Sequence, residues 1–392
     1  VELVGAARAG RARTASARLV GVDLARAVAL LGIFAAHLVS PDDPGAPGGV
    51  DPLFQLVAGR SSALFALLAG VGIALSSRDA GTDPWGARAR LLTRAGCIAF
   101  LGLWLGAFPS GLAIILTFYG VLFCCALPVL HWRARSLAVL AVAWGLLSPV
   151  VSLVLRDRVD AGPTIVPTFV HLAEPLRLAQ ELLLTGYYPV LTWATYLFAG
   201  MALGRLDLRR APVGPRLALV GAWLAALALA VSGLVRSRPT ARAALVADPR
   251  QPVADWAELD TQLRHGLFGT HPTETSWWLG VWAPHSGSIV DLAHTTGTAV
   301  LVLGLALTAV RLLPALPWRL LGGAGAMTLT LYSLHALVLS SPLGARGEAA
   351  LLVHTLVALG VGAAVVAAGR RGPLEQLVSE VVRLVPGRGP HR

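Results

Sequence analysis

Residues 19–40 read LVGVDLARAVALLGIFAAHLVS. In this stretch only Asp23 and Arg26 carry full charge, and it slightly exceeds the roughly 20 apolar residues needed to cross a hydrocarbon core. It therefore reads as a retained membrane helix, too long for the apolar region of a cleaved signal peptide. Similar apolar runs follow at 53–77, 91–107, 112–130, 137–155, 187–204, 216–235, 288–310, 320–340 and 349–368. The chain is thus expected to be all-α, a polytopic membrane bundle of about ten transmembrane helices. Phe108-Pro109-Ser110-Gly111 is read as a tight turn between two of them, and residues 171–184 as an amphipathic helix lying at the membrane surface.

Composition agrees. Charged residues make up 14% of the chain, well below the roughly 25% of soluble domains. The net charge of +11 comes entirely from arginine, with no lysine present. These arginines sit in short clusters between apolar runs, which reads as membrane topology and excludes a groove for nucleic acid. Of 32 arginines, 21 fall in segments 1–18, 78–94, 133–135, 205–216, 311–319 and 369–392. By the positive-inside rule those segments are cytoplasmic, as are both termini. Segment 1–18 is then a cytoplasmic N-terminal stretch, 19–368 the membrane domain and 369–392 a basic tail. Cys97, Cys124 and Cys125 lie within apolar runs and read as small buried hydrophobes.

Ionisable side chains inside apolar spans are costly and mark candidate sites. In the first span, positions 23, 26, 30, 33 and 37 alternate steps of three and four, which places Asp23, Arg26 and His37 on one stripe. Arg26 and His37 are about 16 Å apart along the axis. Asp23 and Arg26 suit a structural ion pair near the cytoplasmic end, and His37 an imidazole near the outer end. Arg60 opens the small-residue run Gly59 to Gly70, either as an internal cation or as one reaching the headgroups. Tyr332 and His335 share a face of the ninth span. His285, Asp291 and His294 match no metal-site spacing, so no metal is expected. Outer loop 236–287 carries Trp256, Trp277, Trp278 and Trp282, suited to a sugar ring or to an interfacial aromatic belt.

The run Arg18 to His37 resembles the opening helix of the heparan-alpha-glucosaminide N-acetyltransferase-like membrane proteins, in particular their bacterial YeiB-like branch. Gly59 to Gly70, Met327 to His335 and Gly372-Pro373-Leu374-Glu375 resemble the same branch. An arginine followed eleven residues later by a histidine is also similar to the acyltransferase-three membrane proteins. The resemblance implies a transmembrane acyltransferase fold and transfer of an acyl group from cytoplasmic acyl-CoA, in the first place acetyl-CoA. The acceptor would be a glycan or lipid-linked molecule across the membrane. His37 would match the essential histidine of the second group and Arg26 its arginine. On that reading His37, Arg60 and His335 are the catalytic candidates. Arg26, Arg88, Arg90 and Arg94 would hold the donor, and His285, Tyr332 and Trp278 the acceptor. Arginine and alanine without lysine suggest a GC-rich bacterial genome, hence a bacterial cytoplasmic membrane. The partners expected are membrane lipid and the acceptor; monomer and homo-oligomer stay open. A transporter or flippase for a lipid-linked or acidic solute, and a non-catalytic envelope subunit, are the alternative readings.

Overall fold

The computed structural model describes residues 19–46, 48–78, 83–159, 162, 164–313 and 315–386. Segment 1–18 lies outside the described residues, as does 387–392 of the tail. Among the described residues the chain is helical throughout, without strands. It is a polytopic helical membrane protein. Seven helical stretches are long and apolar enough to span a membrane. Three shorter apolar helices, Leu116–Cys125, Val190–Gly204 and Thr328–Leu339, account for the remaining expected spans.

The main helices are α1 Val20–Leu38, α2 Pro52–Val57, α3 Arg60–Ser76, α4 Pro84–Gly106, α5 Leu116–Cys125 and α6 Ala134–Arg156. They are followed by α7 Val190–Gly204, α8 Val213–Arg236, α9 Ile289–Leu312, α10 Ala315–Gly325, α11 Thr328–Leu339, α12 Glu348–Ala367 and α13 Pro373–Arg383. Two expected spans are broken. The span 53–77 is interrupted at Ala58 and Gly59, where Gly59 takes φ 71°, a conformation that favours glycine. The span 320–340 is interrupted between α10 and α11. Between α4 and α5 the expected turn is a longer non-helical passage through residues 107–115. The surface helix expected at 171–184 is three short turns, Phe169–Ala173, Pro175–Gln180 and Glu181–Thr185.

Helix ends tie together on two opposite faces. On the first face, where α1 begins, Arg78 donates to the Gly204 carbonyl at 2.6 Å and Arg205 to the Ala74 carbonyl at 3.1 Å. On the second face, Arg346 donates to the His37 carbonyl at 2.8 Å and to that of Ser110 at 3.2 Å. The His265 imidazole sits 2.9 Å from the Asp42 carboxylate on the same face.

Glycines set the closest approaches. Gly70 and Gly200 bring α3 and α7 together so closely that a Cβ on Gly200 would collide with the Leu67 carbonyl. Gly214 and Gly221 of α8 face Gly304 and Gly297 of α9, a seam of small residues seven apart. In α1 and in the stretch Pro52–Ser76, 67% of the most apolar window is buried, against 11% in α12. α1 and α3 are therefore central, while α12 and α8 turn Leu352, Leu356, Leu219 and Leu227 outward. Above the second face, Leu245, Leu259, Leu263, Leu267 and Trp278 pack into a small apolar core within segment 236–287. That segment forms a lid.

Candidate active site

Two cavities enter the bundle from opposite faces. The second-face cavity holds about 500 Å³, and His37, Ser61, Ser62, Tyr332 and His285 line it. The non-helical residues 111–115 form part of its wall. Irregular backbone at membrane depth is tolerated where it borders such a cavity. Two of its amides have side-chain partners: Leu112 N–H donates to the Ser110 hydroxyl at 3.3 Å and Ile115 N–H to the Tyr332 hydroxyl at 3.4 Å. The first-face cavity holds about 220 Å³ and is lined by Arg26, Phe65, Arg94, Tyr119, Leu329 and Glu375. A neighbouring 280 Å³ pocket shares Arg94 and adds Arg90.

The α1 stripe joins both. Arg26 pairs with Asp23 at 3.3 Å and lines the first-face cavity. Three turns on, His37 lines the second-face one. Its Nδ1 lies 3.1 Å from Nε2 of His335, which is 1% exposed and sits behind His37. Since Nδ1 is engaged, Nε2 is the nitrogen left to serve the cavity. His335 Nδ1 in turn lies 2.9 Å from Nδ1 of His354 on α12.

His285 stands in the opposite wall with φ 58°, the one non-glycine in that region among the described residues. Such a conformation costs about 1–3 kcal/mol and persists only where surroundings enforce it. Here those surroundings are the rings of Tyr187, Tyr188 and Trp193, at 4.6, 5.8 and 6.3 Å. Tyr187, Tyr188 and Phe268 give the cavity an aromatic lining.

Four candidates stand away from both cavities. Arg60 donates from Nε to His294 at 3.0 Å and from Nη1 to the Gln55 carbonyl, and it stacks 5.0 Å over Trp282. Its guanidinium is used in fastening the start of α3 to α9. Trp278 is 1% exposed in the lid core, where Nε1 donates to Asp248 at 2.7 Å. Arg88 donates to the Leu127 carbonyl at 3.3 Å and lies 5.4 Å over Trp85. Arg90 shares its charge with Asp83 at 3.5 Å. In each case a long or aromatic side chain found a nearby carbonyl, ring or carboxylate that sequence spacing does not reveal. Ser61, Ser62, Arg346 and His354 were missed by sequence reasoning. For His354 a signal exists: it is the one ionisable side chain between Glu348 and Arg370.

The chain matches the family model for the heparan-alpha-glucosaminide N-acetyltransferase, catalytic, over residues 18–233, more than half its length. It belongs to this family. The match to this N-acetyltransferase-like membrane domain includes Arg26, His37 and Ser62 but ends before α9, leaving His285, Tyr332 and His335 beyond it. No curated protein matches the chain.

Proposed function

We propose that this protein is a membrane-embedded acyltransferase that moves an acetyl group from acetyl-CoA at the cytoplasmic face to a glycan or lipid-linked acceptor at the extracytoplasmic face. The observation that carries the reading is the meeting of two opposed cavities across a single helical turn. On α3, Ser62 belongs to one cavity and Phe65 to the other. On α11 the same division falls between Tyr332 and Leu329. Acyl-CoA is too large and polar to cross lipid, but a pantetheine arm entering beside Arg26 needs to pass only that turn. The arginine distribution supports a cytoplasmic first face, and the lysine-free composition a bacterial membrane.

Arg26, Arg94 and Arg90 would hold the phosphates of the donor. His37 Nε2 would take the proton of the acceptor hydroxyl or amine as it attacks the thioester carbonyl, a role that neutral imidazole suits near pH 7. Tyr187, Tyr188 and Phe268 offer apolar ring faces to a sugar, with His285 and Tyr332 as polar partners. Arg60 is assigned to positioning α9 and Trp278 to the lid, neither to the reacting atoms.

Purified protein in nanodiscs, heated with and without acetyl-CoA, tests the reading. Acetyl-CoA is expected to raise Tm, and Arg26→Ala to abolish the rise. His37→Ala should keep the rise and lose about 100-fold or more of acetyl transfer to glucosamine as a trial acceptor. Absence of any response to acetyl-CoA, or solute uptake into vesicles indifferent to CoA, would overturn it.

A further inference from the structure

The geometry points to a three-imidazole wire, His37–His335–His354, that fixes the tautomer of His37 and carries charge away from it. This rests on reading His37 as the base. Only one polarity leaves His37 Nε2 bare for an incoming proton. His37 Nδ1–H must donate to His335 Nε2, and His335 Nδ1–H to His354 Nδ1. The two links measure 3.1 and 2.9 Å. The rings are held for it: His37 and His335 lie within 14° of parallel, and Phe34 stacks on His335 at 4.3 Å. Phe34 also meets the edge of His354 at 5.8 Å. His354 is only partly buried, whereas His335 is enclosed.

In the reaction, the acceptor proton passes to His37 Nε2 as the acceptor oxygen or nitrogen bonds to the acetyl carbon. The Nδ1 proton of His37 shifts to His335 Nε2, and that of His335 Nδ1 to His354 Nδ1. The positive charge ends on His354, outside the enclosed His335. It returns along the same path when the departing CoA thiolate takes its proton, so acceptor plus acetyl-CoA gives acetylated acceptor plus CoA thiol. His354 is thus a positioning residue, reaching the reaction only through its two neighbours.

Carbethoxylation by diethylpyrocarbonate, read by mass spectrometry on the full chain in nanodiscs, tests the wire without relying on activity. A bare imidazole nitrogen attacks the reagent's carbonyl. With Nδ1–H on His37, the bare nitrogen is Nε2 in the cavity; with the proton on Nε2, it is Nδ1, blocked by His335. His354→Leu removes the terminal acceptor and should slow labelling of His37 about tenfold, a tautomer bias of about 1.4 kcal/mol. His354→Gln, whose amide oxygen can accept from His335, should restore it. In parallel, acetyl transfer should fall in kcat with the acetyl-CoA KM unchanged, and stay low in His354→Gln, whose amide can accept the hydrogen bond but not the proton. Unaltered labelling in His354→Leu, labelling not restored in His354→Gln, or kcat fully restored there overturns the wire even if transfer is observed. If His354→Leu does not fold, 15N-histidine spectra of the unsubstituted protein decide: His37 protonated on Nε2 sinks the proposal. Tautomer-dependent labelling with no transfer to any acceptor would instead sink the acyltransferase reading.

Discussion

His271 shows how burial governs a histidine outside the membrane helices. Its Nδ1 donates to the Pro272 carbonyl at 2.7 Å, its own carbonyl accepts from Arg156 at 2.6 Å, and it is 2% exposed. Desolvation first, and the nearby Arg156 charge second, push its pKa from 6.5 down to about 3. The unfolded imidazole takes a proton near 6.5 while the folded one resists until about 3. Between those values the unfolded state binds more protons, so stability falls as pH falls, by at most about 1.4 kcal/mol per pH unit. Melting followed by tryptophan fluorescence should give a lower Tm at pH 5 than at pH 7, with a smaller gap in His271→Gln; parallel behaviour of the two proteins would refute it. The sequence flagged His37 and His335 because ionisable groups in apolar runs are expensive. It could not separate them from Arg60, whose guanidinium is consumed by His294, a partner 234 positions away. His354 carried the same sequence signal as His37, but only its distance from His335 gives it a role.

At the level of helices, the three-four stripe of α1 was legible because one helix carries it whole. Breaks were not, since a helix end in the membrane depends on what satisfies its free amides. The start of α11 is the example. The Glu375 carboxylate, carried in from α13, accepts from Leu329 N–H at 2.7 Å, Thr330 N–H at 3.2 Å and the Thr330 hydroxyl at 2.6 Å. A negative charge at a helix N-terminus is favoured by the macrodipole, and here it stands in for a local cap. Gly372-Pro373-Leu374-Glu375 looked in sequence like part of a surface tail; in space it terminates a membrane helix. Glu375→Ala should cost about 1–3 kcal/mol, because three donors lose a charged acceptor. Glu375→Gln, which keeps one oxygen, should cost less. Thermal unfolding in detergent reads both, and an unchanged Tm for the alanine variant would show the cap to be idle.

For the whole molecule, what matters is that neither cavity crosses alone. Between them Tyr119 donates from its hydroxyl to the Ser62 carbonyl at 3.2 Å, with Phe65 stacked on its ring at 5.8 Å. These rings stand where the two cavities come within a helical turn of each other, so removing one is expected to join them. Ser62 lines the second-face cavity and Ala69 the first-face one. With Cys97, Cys124 and Cys125 replaced by alanine, Ser62→Cys in oriented vesicles should react with a small charged methanethiosulfonate added only to the second face. Ala69→Cys should react only from the first. Adding Tyr119→Ala should make Ser62→Cys reactive from both, while the acetyl-CoA thermal shift persists because Arg26 and Arg94 are untouched. Reaction of Ser62→Cys from both faces with Tyr119 still present would mean the rings do not seal the passage. One-sided reaction after Tyr119→Ala would mean the seal lies elsewhere, and a donor arm would have to find another way to His37.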